Sequence, residues 1–330
     1  MNPELIALLR CPATGQHLLL EDSATDGKSE PQLVSEDGRH RYPVVDGIPR
    51  FVPTSNYADN FGMQWNRFRK TQLDSHSGYP ISADRYWKAT GWSPAEMRGK
   101  WVLDAGCGAG RFAEVALGTG AHVVALDYSS AVNACRANLG QYPNLHVVQG
   151  NIYALPFAPE QFDFVYSLGV LQHTPNVQAA FAALPPMVKP GGKLCVDYYW
   201  KRFRTLMHAK YLFRPFTRRM AQDRLFALLE RRVPAMLALS RALGRVPLGG
   251  RALKRIVPVA DYTGIFPLSE QQLQEWALLD TFDMLGPAYD SPQTAETVGR
   301  WLCAAGFDDV EVLHAGHLVA RGHKPSRAGL

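Results

Sequence analysis

The sequence contains few cysteines, and nothing in their arrangement indicates a disulfide framework. The five are Cys11, Cys107, Cys135, Cys195 and Cys303, which are scattered and odd in number. Isolated thiols of this kind are typical of a reducing compartment, and they exclude the class of small secreted domains that disulfides hold together. We therefore expect a cytoplasmic protein.

Long apolar runs are also missing. No run of about 18 uncharged apolar residues is present, so no transmembrane helix is expected. The first residues, Met1-Asn2-Pro3-Glu4, lack the basic and apolar regions of a signal peptide. A chain of 330 residues, 46% of them hydrophobic, can nevertheless bury one large core or two modest ones.

Acidic residues are scarce in one segment. Residues 198–255 hold 15 of the 35 Lys and Arg side chains but only two acids, Asp223 and Glu230. Leucines alternate with arginines there, which predicts amphipathic helices interrupted at Pro215 and Pro234. Three interpretations of this segment are open. It is a helical lid whose arginines are only solvated, a lid that binds an anionic substrate such as an acidic sugar, or a segment that attaches to an anionic membrane. We favour a lid with affinity for a membrane or lipid carrier, and we do not expect nucleic acid because no RNA-binding module is evident.

A glycine-rich turn opens the most regular part of the chain, residues 101–197. Its glycines, Gly106, Gly108 and Gly110, follow an apolar run and precede a helical pattern. Such a turn lets the backbone approach a ligand closely. Apolar strands then recur, separated by helices, at 121–127, 145–151, 162–171 and 193–197. This alternation predicts an α/β fold with a doubly wound, mostly parallel sheet.

Two features distinguish this turn from one that binds a dinucleotide. Asp104 directly precedes it, which suits a pyrophosphate poorly, and the glycines lack the two-residue gap of the dinucleotide fingerprint. Both features count against a nicotinamide dehydrogenase. Asp127 ends the second strand, where a carboxylate can accept both hydroxyls of a ribose.

Residues 101–320 resemble the class I S-adenosylmethionine-dependent methyltransferases. The resemblance implies a Rossmann-like sheet of seven strands, with the basic segment as a helical insertion after the fifth strand, and S-adenosylmethionine as the methyl donor. It is carried by Asp127 and by the segments 103–110, 150–157, 162–165, 170–173 and 190–192.

The resemblance assigns a set of residues to the methionine end of this cofactor. Gly106, Cys107 and Gly108 would pass beneath the methionine moiety, and Asp104 would hold its ammonium group. Ser167 and Leu168 end the fourth strand and would face the cofactor. Gln64 lies on a helix before the first strand that would cover the site.

A second set is assigned to the nucleoside end. Asp127 would take the ribose hydroxyls, Tyr128 would lie against the adenine, and Ile152 would form an apolar wall. Asn151 stands where the family commonly has Asp for the adenine amino group, and its side-chain oxygen can still accept that hydrogen bond.

Transfer of a methyl group to a hydroxyl needs a general base near the carboxyl ends of the strands. His173 follows the fourth strand and is the first candidate, with a purely structural role as the alternative. Asp197 and Tyr198, at the end of the fifth strand, are the next candidates.

The first 55 residues resemble the zinc-ribbon-like Trm112-type family, through Cys11-Pro12 and the segment 42–50. The metal-binding pattern is broken, because Thr14 and Ser35 stand where cysteines would be expected. One thiolate cannot close a tetrahedral zinc site, and we treat His17 and His40 as ordinary residues. We expect a metal-free ribbon that serves in packing or docking, with its strands joined by a polar loop at 21–31.

These observations divide the chain into five parts. A ribbon at 1–55 is followed by a helical bridge at 56–100, the cofactor-binding core at 101–197, the basic lid at 198–267 and the end of the core at 268–330. In the last part we expect an acidic loop at 278–290, which either lines the acceptor pocket or is a turn capped by Asp. A helix up to residue 305, a closing antiparallel strand pair and a disordered tail would follow.

The sequence therefore predicts a methyltransferase acting on oxygen of a small-molecule, glycan or lipid-linked acceptor. A cofactor-binding regulatory or partner protein without catalysis is the alternative, and a protein or RNA methyltransferase is a further one. We expect a cytoplasmic location with peripheral membrane contact through 198–255. The sequence leaves the oligomeric state and the acceptor open.

Overall fold

A computed structural model describes residues 1–25, 28–53, 58–203 and 209–326. Parts of four predicted features lie outside these ranges: residues 26–27 in the polar loop, 54–57 at the junction of ribbon and bridge, 204–208 in the basic segment and 327–330 in the tail.

The N-terminal part is a short helix followed by a small antiparallel sheet. Its strands lie in chain order, and Leu20 pairs with Leu33 as the sequence predicted. The expected polar loop at 21–31 is wrong, since both strands of this hairpin extend through most of that range. The elements are α1 (Pro3–Leu8), β1 (Leu18–Thr25), β2 (Lys28–Ser35), β3 (Arg41–Val45) and β4 (Ile48–Pro49).

Short helices make up the bridge to the main sheet. The last of them begins with a capping box, in which Ser93 and Glu96 satisfy each other's backbone N–H groups. The helices are α2 (Asp59–Arg67), α3 (Asp74–Ser77), α4 (Ile81–Thr90) and α5 (Pro94–Met97).

The main sheet has seven strands in the order β10-β11-β9-β8-β5-β6-β7. Strands β5 to β9 pair in parallel, and β11 is antiparallel to β9 and β10. This confirms the predicted doubly wound, mostly parallel fold. The strands are β5 (Trp101–Ala105), β6 (His122–Asp127), β7 (Leu145–Gln149), β8 (Phe162–Ser167), β9 (Val188–Tyr198), β10 (Asp308–Ala315) and β11 (His317–His323), and the connecting helices are α6 (Arg111–Leu117), α7 (Ala131–Leu139) and α8 (Val177–Ala182).

Each face of this sheet is buried in its own hydrophobic cluster. Neighbouring residues on a strand point to opposite faces, so Leu103 belongs to one cluster and Val102 to the other. The N-terminal part contributes Leu5, Leu18 and Leu33 to the first cluster. The ribbon and the main sheet therefore share one hydrophobic core.

After β9 the chain forms a helical layer. Leu225 and Phe226 of the long helix pack with Ala277 and Phe282 of a second helix. That second helix runs through residue 285, so the loop expected at 278–290 is wrong over most of its length. The helices are α9 (Lys210–Thr217), α10 (Gln222–Gly244), α11 (Gly250–Leu253), α12 (Glu270–Leu285) and α13 (Ala295–Ala304). In the described part of the chain, no helix combines the length and the apolar composition that crossing a membrane requires.

Candidate functional site

A large cavity of about 990 Å³ lies at the carboxyl ends of the parallel strands. Its wall includes the glycine turn, Asp127 and His173, together with side chains from α2, α4 and α12. The same cavity is thus lined by residues predicted to bind the cofactor and by the residue predicted to be the general base.

The glycine turn after β5 has a backbone that only glycine adopts easily. Gly106 has φ +102°, and a Cβ atom there would collide with the side chain of Val170. Gly108 donates its N–H to Asp127 Oδ2 at 2.9 Å. Trp65 of α2 lies over the turn, because a Cβ on Gly108 would be 3.3 Å from its indole.

Asp127 is held in place by three donors. Besides Gly108, the Ser129 N–H and hydroxyl donate to Oδ1 at 2.8 and 2.7 Å. Burial raises the pKa of this carboxyl, and these hydrogen bonds oppose the shift. A fixed carboxylate facing the cavity can still accept from the hydroxyls of a sugar, because its two oxygens offer about four acceptor sites.

Asp104 lies behind the turn and does not line the cavity. It is only 2% exposed, and within the described ranges its Oδ2 has no hydrogen-bond partner. Burial, reinforced by the charge of Asp127, raises its pKa to about 8. A buried acid lacking a partner next to the turn is suited to a cationic group bound there.

The other predicted cofactor contacts divide into two groups. Cys107, Tyr128, Ile152 and Leu168 line the cavity together with Gly106, Gly108 and Asp127. Asn151, Ser167 and Gln64 do not, and for each the structure gives another contact.

Each of these three side chains has a polar atom that bonds to the backbone of this chain. Asn151 Oδ1 accepts from the backbone N–H of Tyr153 at 3.0 Å. Ser167 donates to the Ala105 carbonyl at 2.7 Å and so links two strands. Gln64 is buried, and its amide donates to the Leu279 carbonyl at 3.5 Å. Their predicted cofactor contacts stay predictions that this arrangement does not favour.

His173 stands on a 3₁₀ turn (Leu171–His173) at the end of β8 and lines the cavity. Its Nδ1 lies 3.0 Å from the carbonyl of Tyr289, which can only accept, so Nδ1 carries a proton. Its Nε2 lies 3.3 Å from the Tyr199 hydroxyl and 3.8 Å from Asp283 Oδ2. Tyr199 in turn donates to Asp283 at 3.1 Å.

The other two candidate bases do not reach the cavity. Asp197 accepts from Arg85 at 2.7 Å and from the Gly169 N–H. Burial alone would raise the pKa of Asp197, but the charges of His317 and Arg85 and these hydrogen bonds lower it. Tyr198 points to the opposite face of the sheet and packs against Trp301. The site residue at this position is Tyr199, which strand alternation from Asp197 could have indicated.

Sequence reasoning also missed a set of charged side chains that line the cavity. Arg85, Lys88 and Arg111 are among them, and Lys210 lies with its ammonium 4.4 Å from the centre of the Tyr199 ring. Asp280 lines the same cavity, and burial raises its pKa to about 6. These residues come from helices distant in sequence, so no local pattern could have grouped them.

Aromatic rings fill much of the remaining wall. The Arg111 guanidinium lies 5.0 Å from the ring of Phe112 and 5.3 Å from that of Trp276. Phe61 contacts His173 with a ring separation of 5.4 Å. The cavity can therefore hold a flat or partly apolar molecule beside cationic groups.

The fold and this site define an α/β domain with a nucleoside-type cofactor pocket. Residues 103–196 match the family model described as "Methyltransferase domain". This part of the chain is therefore similar to a methyltransferase domain.

Individual relatives agree with this class. The chain is similar to two proteins named "Ubiquinone biosynthesis O-methyltransferase". That of Aromatoleum aromaticum is 34% identical over 35% of this chain and 50% of its own length, and that of Thiobacillus denitrificans is 37% identical over 34% and 47%. The chain therefore covers only about half of the relatives that it matches.

Among solved structures, a Burkholderia thailandensis 1,6-didemethyltoxoflavin-N1-methyltransferase is similar over 88% of this chain and 98% of its own, at 14% identity and a TM-score of 0.43.

Proposed function

We propose that the protein is an S-adenosylmethionine-dependent methyltransferase that methylates an oxygen atom of a small-molecule acceptor. The observation that supports this most directly is the shared cavity, in which Asp127 and the glycine turn face the same space as His173, Tyr199 and Asp283. The names of the two relatives support oxygen as the acceptor atom and a small molecule as the substrate.

The residues at the glycine turn fit this cofactor. The Asp104 carboxyl, whose Oδ2 has no hydrogen-bond partner in the described ranges, suits the ammonium of the methionine moiety, and Asp127 suits the ribose hydroxyls. Ile152, Leu168 and Tyr128 provide an apolar wall for the base. When bound, S-adenosylmethionine supplies an electrophilic methyl group on a sulfonium.

The protein's remaining task is to orient the acceptor and remove its proton. With Nδ1 held by the Tyr289 carbonyl, His173 can accept the proton of an acceptor hydroxyl at Nε2 once that hydroxyl takes the place of Tyr199 beside this nitrogen. The deprotonated oxygen would lie in the cavity that the glycine turn also lines, where the bound cofactor would supply the methyl group. Asp283, 3.8 Å from Nε2, stabilises the imidazolium that results.

We further propose that the acceptor is reached at an anionic membrane surface. Helix α9 has its polarity reversed: Lys210 and Arg214 are buried, whereas Leu212 is 75% and Phe216 71% exposed. Lys210 pairs with Asp290 at 2.6 Å, and Arg214 donates to the Met284 and Pro287 carbonyls at 3.0 and 2.8 Å.

This helix belongs to a larger apolar surface. Ten of the fifteen exposed large apolar side chains in the described ranges lie between residues 203 and 265, which is also the most basic part of the chain. Apolar side chains that insert among lipids and arginines that attract anionic headgroups are the two elements of interfacial binding. Arg202 and Lys210 line the cavity, so the cavity extends to the segment that carries these exposed apolar side chains.

Two measurements test the methyltransferase assignment. Calorimetry with S-adenosylmethionine should show binding near one equivalent, and Asp127→Ala should weaken it strongly. Radiolabelled cofactor should then transfer its methyl group to a small phenol or catechol, more rapidly when vesicles of phosphatidylglycerol present a lipid-tailed acceptor. Absence of binding at millimolar cofactor would contradict the assignment.

The same assay separates the alternatives. A regulatory or partner protein would bind the cofactor tightly and transfer no methyl group to any acceptor. A protein or RNA methyltransferase would label macromolecules of a cell extract while the small-molecule fraction stayed unlabelled.

A further inference from the structure

We propose a transition-metal site at the opposite end of the sheet from the cavity, formed by Glu4, His122 and His146. It goes beyond the methyltransferase activity, and it takes a divalent cation of the Zn²⁺ class. The three residues come from α1, β6 and β7, and one ligand atom of each lies within 4.8 Å of the other two.

The distances are close to those of a tetrahedral centre. Glu4 Oε2 lies 3.8 Å from His122 Nδ1 and 3.8 Å from His146 Nε2. Bonds of about 2 Å in a tetrahedral zinc site place ligand atoms roughly 3.3 Å apart. The carboxylate oxygen would need to approach each nitrogen by about half an ångström, and it is free to do so because the Glu4 side chain is 54% exposed. The two imidazole nitrogens lie within 4.8 Å of each other, so the His122 side chain would move with it.

The two imidazoles point to a ligand independently of this spacing. The side chain of His146 is fully buried, and neither of its nitrogens has a hydrogen-bond partner in the described part of the chain. His122 Nδ1 is likewise buried and lacks a partner there. Buried polar atoms are rarely left without a hydrogen-bond partner, because each such atom lowers the stability of the fold. A bond to a metal ion would offset this loss.

The site is also rigid and open in the way that metals require. The Trp101 indole stacks on both imidazoles, at 4.8 and 5.2 Å, and fixes their planes. His122 and Glu4 are partly exposed, so the ion has an entry path and water can fill the remaining position. Two imidazoles and a carboxylate match the preference of Zn²⁺, with Co²⁺ as its spectroscopic substitute.

Such a centre would join the N-terminal helix to two strands of the main sheet. The ribbon lacks the cysteines that could bind metal within it, so this site would supply a metal link at its boundary instead. Because the ion would bind the folded chain and not the unfolded one, it would raise the melting temperature.

The test uses the full chain, first freed of metal by a chelator. Zn²⁺ should bind by calorimetry near one equivalent and raise the melting temperature, and Co²⁺ should give the visible absorption bands of a tetrahedral site. Glu4→Gln and His122→Gln, both partly exposed and so tolerable substitutions, should each weaken binding by roughly tenfold or more. His146→Gln is not used because this residue lies in the core.

Two controls identify competing sites. His76→Gln removes an exposed histidine elsewhere, and Cys303→Ser removes the exposed thiol. Both should bind Zn²⁺ like the parent chain. The proposal is wrong if the parent chain binds no Zn²⁺, if either Glu4→Gln or His122→Gln binds as tightly as the parent, or if a control variant loses the site.

Discussion

His173 is the residue on which the proposed chemistry depends most. One nitrogen is committed to the Tyr289 carbonyl and the other faces Tyr199 and Asp283, so the ring is held in one tautomer and one orientation. A base held in this way loses little entropy when the acceptor arrives, which is the condition for efficient proton transfer.

Replacing the base should therefore separate binding from turnover. His173→Ala should lower kcat by about 10²–10⁴-fold while the Kd for S-adenosylmethionine changes little, because general-base catalysis contributes about that much. Single-turnover rates with labelled cofactor and calorimetry measure the two quantities. Asp280→Asn is the comparison, because Asp280 lines the same cavity. If the rate is unchanged in His173→Ala and lost in Asp280→Asn, then Asp280 is the general base and His173 is not.

Asp104 should make the stability of the cofactor-free protein depend on pH. Its pKa is about 8 in the folded chain against an ordinary value of 3.8. Between these values the unfolded chain releases the proton that the folded chain keeps, so this group's contribution to stability falls as the pH rises through the window. In urea unfolding from about pH 5 to 8, Asp104→Asn should flatten that slope.

The control for this prediction is Asp223→Asn, which changes an exposed acid of α10. The control should keep the parent slope. An Asp104→Asn variant with the same slope as the parent would show that Asp104 is ionised in the folded chain.

Some residues of the site could be predicted from the sequence and others could not. The turn glycines and Asp127 were predictable because their roles depend on local backbone geometry at a strand end. Tyr199 was missed in favour of Tyr198, although period-two alternation separates them. Arg85 could not be found at all, since only the folded chain brings α4 to the end of β9.

At the scale of single elements, α9 is the clearest departure from its sequence pattern. An amphipathic basic helix is expected to turn its cations to solvent. Here Asp290, far along the chain, accepts Lys210 and lies 3.8 Å from Arg214, so the cations face inward and the apolar side chains face outward. Composition predicted the amphipathic character but could not tell which face would be buried.

This reversed helix should control membrane binding. Leu212→Ser combined with Phe216→Ser should lower co-sedimentation with phosphatidylglycerol vesicles severalfold without loss of folding, because both side chains are largely exposed. Leu19→Ser, which removes an apolar side chain that is 57% exposed on the ribbon, is the matched control and should bind vesicles normally.

The measurement needs phosphatidylcholine vesicles beside the anionic ones. Binding that is equal on both would contradict the role of the arginines. If the double variant still binds the vesicles, the exposed apolar side chains of α9 do not bind the membrane and serve another partner.

Helix α12 illustrates the opposite error. Its acids at 280 and 283 and the glycine at 286 suggested a loop, but the acids belong to a helix that turns them toward the cavity. A capping box at Ser269 begins this helix, and capping is a local signal of the kind that sequence alone can reveal. Where acids line a pocket, helical periodicity of apolar residues is weakened, and sequence reading fails for that physical reason.

At the scale of the whole molecule, the ribbon and the methyltransferase domain should unfold together. Leu18 is 3% exposed and belongs to the cluster that contains Leu103 of the main sheet. Leu18→Ala should cost about 2–5 kcal/mol, lower a single melting transition, and leave that transition responsive to S-adenosylmethionine.

Its neighbour provides the comparison. Leu19 is 57% exposed on the same strand, so Leu19→Ala should change stability by less than about 0.5 kcal/mol. Differential scanning calorimetry distinguishes the outcomes. A separate, cofactor-insensitive transition in Leu18→Ala would mean that the ribbon is an independent domain, as the division at residue 55 supposed.

The segment 284–290 contacts both the surface helix α9 and the proposed general base. Its carbonyls at Met284 and Pro287 receive Arg214 of the surface helix, and the carbonyl of Tyr289 holds His173 Nδ1 at 3.0 Å. A shift of the surface helix would therefore change the distance that fixes the tautomer of His173. Turnover would then depend on what the outside of α9 touches, so that the surface on which the protein rests helps to set the speed of the chemistry inside it.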